Sequence, residues 1–153
     1  MTAIVFPGQG SQYIGMSKDF IDNFQIAREL LDHIQEYTSI NIKDIILNDP
    51  DKKLNQTNIT QLAIFTCSLI IYKVLESETS FSDENVNFML GHSLGEYTSL
   101  AASKKLNIKQ SSIILKKRGE LMNSAIKPNL TSMAAIIGLN SKIVSNIINE
   151  NKL

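Results

Sequence analysis

The stretch Gly91-His92-Ser93-Leu94-Gly95 constrains this chain more than any other. Before it stands the apolar run of residues 86–90, which has the length and composition of a short buried strand. After it come residues 96–105, of helical composition, with Ala101 and Ala102 suited to close packing. A serine at a sharp strand-to-helix turn has strained dihedrals that crowd neighbouring side chains. Glycines two residues to either side relieve that crowding, and the hydroxyl projects beyond the sheet edge. The N–H of Leu94 then points from the helix N-terminus towards the oxyanion of a tetrahedral intermediate. A Gly-rich turn with an incidental serine is the competing reading, and the strand and helix on either side weigh against it.

The rest of the chain repeats the alternation. Residues 3–6 read as a strand that runs into the loop Pro7-Gly8-Gln9-Gly10-Ser11-Gln12. Between residues 19 and 37, Phe20, Phe24, Ala27, Leu31 and Ile34 recur at helical spacing, which predicts one amphipathic helix. Residues 48–58 are turn material. Residues 60–77 predict a helix apolar on nearly all sides, and residues 77–85 a polar loop. A further helix is expected over 108–126, a strand over 132–139 and a last helix over about 141–151. Strands alternating with helices argue for an α/β fold with a largely parallel sheet. The pattern divides into residues 1–127 and a new β-α unit, residues 128–153, that reads as cut short.

Fifteen Lys plus Arg balance fifteen Asp plus Glu, so no basic excess is available to track a phosphate backbone, and no nucleic-acid partner is expected. The single Cys67 excludes an internal disulfide framework and a multi-Cys metal site. The longest apolar stretch, residues 62–72, is interrupted by Thr66, Cys67 and Ser68 and reads as too short to span a bilayer. No secretory pattern opens the chain, and a cytoplasmic location is expected.

Two other features carry chemistry. The loop of residues 7–12 is not a phosphate loop, because Met16 stands where a Walker A needs lysine and Tyr13 where G-x-G-x-x-G needs its third glycine. At the end of a strand beside the serine corner, its Gln9 N–H is placed to be a second oxyanion donor; a tight turn with no further role is the alternative. Arg118 falls at helical spacing with Ile114, Leu121, Met122 and Ala125. An arginine on an apolar face needs a partner. Its fork suits a carboxylate, and such a charged pair is worth about 1.5 to 3 kcal/mol. A structural ion pair with Glu96 or Glu120 is the other option.

Residues 7–12 (PGQGSQ), the NxTxxTQ-like stretch 55–61, GHSLGEY at 91–97, Arg118-Gly119 and MAAIIGL at 133–139 stand in the order and approximate spacing of the malonyl-CoA:acyl-carrier-protein transacylases, which the whole chain resembles. Leu62 stands where the family usually has proline. The resemblance implies an α/β-hydrolase-like acyltransferase core, incomplete here, followed by the start of a ferredoxin-like small subdomain. It implies that Ser93 accepts malonyl from malonyl-CoA and passes it to the phosphopantetheine thiol of acyl carrier protein, in fatty-acid synthesis. Gln9 and Leu94 then form the oxyanion hole through their N–H groups, Arg118 holds the malonyl carboxylate, and no metal or other cofactor is needed. The family also uses a histidine downstream of the nucleophile as general base. The two histidines here are His33 and His92, and none follows His92. His92 is expected to leave the corner away from Ser93, and His33 to be solvated on a helix flank. The expectation is therefore an acyltransferase part lacking its base, for which completion by a second polypeptide, an inactive remnant and a non-catalytic carrier-protein-binding module are the open states. A generic serine hydrolase is the remaining enzyme alternative.

Overall fold

A computed structural model describes residues 1–79, 86–125 and 136–151. Strand β1 (Ala3–Phe6) is followed by helices α1 (Lys18–Asn23), α2 (Gln25–Thr38), α3 (Ile42–Leu47) and α4 (Thr57–Glu78). Strand β2 (Phe88–Gly91) and helices α5 (Leu94–Ala102), α6 (Ile108–Ser124) and α7 (Ser141–Asn151) complete the described elements. The two strands pair in parallel, Ala3 opposite Phe88 and Phe6 opposite Gly91. Parallel pairing needs a long crossover, and between the two strands the described residues supply four helices. The fold is thus mixed α/β and mainly helical over the described residues.

Helix α4 is the core of the unit. Leu62, Phe65, Leu69 and Ile70 are fully buried along it, and α2, α5 and α6 pack around it. It is the one described helix long and apolar enough to cross a membrane, but most of that length lies inside the protein, as a core helix requires. The cover is incomplete on one side, where Ile71 and Leu75 are exposed. Helix α2 contributes the stripe Ala27, Leu30, Leu31, Ile34 at helical spacing. On α6 the buried positions are Ser111, Ser112, Leu115 and Gly119. A Cβ on Gly119 would stand 2.7 Å from Asn58 Cα and 3.1 Å from two backbone oxygens of the first turn of α4, so only glycine permits this approach of the two helices.

Several sequence expectations are corrected here. The single helix over 19–37 is two, broken at Phe24, whose extended φ of −119° and ψ of 128° end α1 and cap α2. Arg28 Nη1 donates to the freed carbonyls of Ile21 and Asp22, each at 3.0 Å, which satisfies the break. The short α3 fell in a stretch with no expectation. It is set by the Asn41 side chain accepting from Asp44 N–H and by Ile42 and Ile46 buried one turn apart. Helix α4 starts at Thr57 rather than residue 60, and α5 runs Leu94–Ala102 rather than 96–105. Strand β2 is displaced two residues at its start. Of the strand expected over 132–139, residues 132–135 lie outside the described residues and 136–139 are not extended into a ladder. The apolar group chosen around Arg118 is not buried: Ile114, Leu121 and Met122 are exposed. Helix α7 matches its expected span but buries no residue.

Candidate active site

Because β1 and β2 are parallel and in register, the loop after Phe6 and the corner after Gly91 leave the sheet side by side at its C-terminal end, where α/β sheets place their sites. The ladder continues one step into the corner, His92 N–H donating to Phe6 O at 3.1 Å. Ser93 sits at the apex with φ 56° and ψ −111°, a left-handed strained conformation for a non-glycine residue. Gly95 N–H donates to His92 O at 2.9 Å and Glu96 N–H to Ser93 O at 3.1 Å, closing the turn. A Cβ on Gly91 would overlap the Gly95 carbonyl, and one on Gly95 would press on the Phe6 and Pro7 carbonyls. The spacing read from the sequence therefore has a concrete cause: the first turn of α5 lies directly over the ends of both strands. Leu94 is the first residue of α5, so its N–H is among the helix-end donors without an intrahelical partner, and the residue is fully buried.

The loop carrying Gln9 is held against this corner. Gly8 touches His92 so closely that a Cβ there would lie 2.9 Å from the His92 carbonyl and would collide with the imidazole. Gln9 follows immediately, its side-chain amide donating to Thr57 Oγ1 at 3.4 Å, while Gln12 Nε2 donates to Asn55 Oδ1 at 2.8 Å. Both bonds tie the loop to the start of α4.

Arg118 reaches the corner from α6. Its Nη2 donates to Ser93 Oγ at 3.1 Å and its Nη1 to Gln61 Oε1 at 2.5 Å, with the Tyr97 ring centroid 5.7 Å from the guanidinium carbon. The ion pair with Glu96 or Glu120 weighed from the sequence is not formed; Glu120 pairs with Lys117 instead. Gln61 and Tyr97 were not singled out as site residues. The available signal for Gln61 was its place beside Leu62, Ala63, Ile64 and Phe65 in a helix expected to be apolar on nearly all sides, where a primary amide needs a partner. His33 is exposed on α2 and stacks on Tyr37 at 6.0 Å, and His92 turns towards Gly8. Neither hydrogen-bonds Ser93 among the described residues. Cys67 is buried away from the corner, its Sγ 3.8 Å from Met16 O, and burial pushes its thiol pKa up to about 11. No group of three or more His, Cys, Asp or Glu among the described residues is arranged to hold a metal.

Chemically, the corner offers a hydroxyl in a strained turn, the first N–H of a helix next to it in the chain and a cation on the hydroxyl oxygen. A serine in such a strand-to-helix turn is an arrangement that can serve nucleophilic chemistry. Residues 3–148 match the acyl transferase domain family, and the chain belongs to it. It is 38% identical over 146 residues to the malonyl CoA-acyl carrier protein transacylase of Staphylococcus aureus, a match covering 95% of this chain and 46% of that one. The solved acyl-carrier-protein S-malonyltransferase of Bartonella henselae superposes with a TM-score of 0.88 at 36% identity, over 98% of this chain and 48% of that one. A solved complex of a type II PKS acyl-carrier protein with its malonyl-transacylase gives a TM-score of 0.86 at 30% identity, covering 97% and 47%. The chain thus spans about half the length of the curated relatives it matches.

Proposed function

We propose that the chain is the nucleophile-bearing part of a malonyl-CoA:acyl-carrier-protein transacylase acting in fatty-acid synthesis. Ser93 Oγ attacks the malonyl thioester carbonyl, and the N–H groups of Gln9 and Leu94 hold the oxyanion. Coenzyme A leaves as the thiol, and the phosphopantetheine thiol of acyl carrier protein then attacks the seryl ester, takes the malonyl group and returns the proton to Ser93. Arg118 binds the malonyl carboxylate. The substrates supply the thioester and thiol, and no further cofactor enters. The proton acceptor for Ser93 is neither His33 nor His92 and comes from outside these 153 residues, in a second polypeptide or a longer chain. The finer architecture follows the same reading: an α/β-hydrolase-like core to residue 127, the start of a ferredoxin-like subdomain from 128, and a cytoplasmic location.

The observation that carries this reading is the Arg118 guanidinium on Ser93 Oγ at 3.1 Å. A generic serine hydrolase has no use for a cation at that place, whereas an acyl group ending in a carboxylate does. The test is complementation. The chain is co-expressed with the part of the Staphylococcus aureus relative that it does not cover, and transfer of malonyl and acetyl groups to phosphopantetheinylated carrier protein is measured. Malonyl transfer that falls much further than acetyl transfer in Arg118→Ala is expected. Equal losses mark Arg118 as structural, and release of free malonate without carrier acylation favours the hydrolase.

A further inference from the structure

Arg118 divides its terminal nitrogens between two partners of different kinds. Nη1 is anchored on Gln61, whose own amide is fixed at the other end by Nε2 donating to Met122 Sδ at 3.1 Å, one helical turn beyond Arg118. Nη2 is on Ser93 Oγ, a neutral hydroxyl. Both acceptors take a bond from a charged donor, but a carboxylate adds charge–charge attraction and presents two oxygens that match the guanidinium fork, so it outcompetes a neutral hydroxyl for the same N–H. In a malonyl group the carboxylate sits one methylene from the carbonyl that Ser93 attacks. A carbonyl within reach of Oγ therefore delivers the carboxylate to the Ser93-facing side of the guanidinium.

Resting on the transacylase reading above, we propose that Arg118 parks the unacylated Ser93 and that the substrate carboxylate releases it by taking over the Nη2 N–H. Recognition of the acyl group and freeing of the nucleophile are then one exchange. Gln61 keeps the guanidinium in place while its second arm changes partner. An acetyl group has nothing to offer Nη2, so it meets a serine still held, and selection operates at the acylation step as well as in binding.

Two measurements on the full chain test this. Arg28 and Arg118 are its two arginines, so ¹⁵N-arginine labelling gives a guanidinium spectrum that separates them. Ser93→Ala should move the Arg118 Nη signals and leave those of Arg28 in place; unmoved Arg118 signals overturn the proposal. Calorimetric titration should then show Ser93→Ala binding malonyl-CoA about 10- to 150-fold more tightly than the unmodified chain, the worth of one hydrogen bond to a charged group removed from competition. Its affinity for acetyl-CoA should be unchanged. An unmodified chain that prefers malonyl-CoA, with Ser93→Ala leaving that preference as it was, overturns the exchange alone. An unmodified chain that binds both esters alike overturns the transacylase reading and the exchange together.

Discussion

Replacing Gly119 by alanine sets two effects of opposite sign against each other. Alanine is favoured over glycine in a helix interior by about 0.8 to 1 kcal/mol, so on propensity alone Gly119→Ala stabilises α6. The new Cβ, however, meets Asn58 Cα at 2.7 Å and the Asn58 and Thr57 carbonyl oxygens at 3.1 Å. Ordinary carbon contacts begin near 3.5 Å, so α4 and α6 must part by about 0.8 Å. The obstructing atoms are backbone in the first turn of the central helix, and no side chain can rotate away. Overpacking of that kind costs about 1 to 3 kcal/mol. The clash wins, with a net loss of up to about 2 kcal/mol. For a chain of this size that lowers the thermal midpoint by up to about 8 °C, or the urea midpoint correspondingly. The same separation lengthens the 2.5 Å bond between Arg118 and Gln61, so the Arg118 Nη signals should broaden alongside. Urea unfolding followed by circular dichroism checks the first effect and ¹⁵N-arginine spectra the second. A variant more stable than the parent by the full propensity gain of about 0.8 to 1 kcal/mol would refute the close approach of α4 and α6 on which the position of Arg118 depends.

Asp49→Ala should cost about 1 to 3 kcal/mol in urea unfolding, because the largely buried Asp49 carboxylate accepts from Lys53 N–H at 2.7 Å and from Leu54 N–H at 3.1 Å and shapes the turn before α4. The Cys67 thiol should resist alkylation at pH 8 in the folded chain and react on unfolding. With its pKa raised from 9.0 to about 11, the folded state holds the proton longer than the unfolded state, so stability should fall as pH rises through that window and be unaffected by this group below it. The sheet turns Val5, Phe88 and Leu90 outward, 66%, 51% and 53% exposed on one face. The unmodified chain should therefore self-associate with rising concentration in sedimentation velocity, and Val5→Lys with Leu90→Lys should shift it towards monomer.

How much was legible in advance follows from which forces are local. The corner at Ser93 was readable because its requirements are covalent and steric: two glycines where α5 crosses the strand ends, an apolar strand before and a helix after. The Asn107 cap that starts α6 is likewise local, a capping box with Gln110. The break at Phe24 was not legible, since the α1 carbonyls are satisfied by Arg28, whose role depends on the angle at which α2 departs. The burial of α6 was misjudged for a related reason. Apolar spacing around Arg118 suggested a core face, yet the buried positions of α6 are Ser111, Ser112, Leu115 and Gly119, of which the two serines and the glycine escape a hydrophobic count. Gln61 and Arg118 lie 57 positions apart, and only the packing of α4 on α6 brings them together.

Ser93 is the residue proposed to take the acyl group. Incubating the 153-residue chain with excess malonyl-CoA, and mapping the product by intact mass and peptide sequencing, tests that directly. The expected result is a slowly formed malonyl ester on Ser93, at most one per chain, absent from Ser93→Ala and reduced in Arg118→Ala. Slowness is expected because neither His33 nor His92 is placed to take the serine proton. An adduct on any other residue, or turnover by this chain alone at the roughly 1 to 10³ s⁻¹ usual for enzymes, would contradict it.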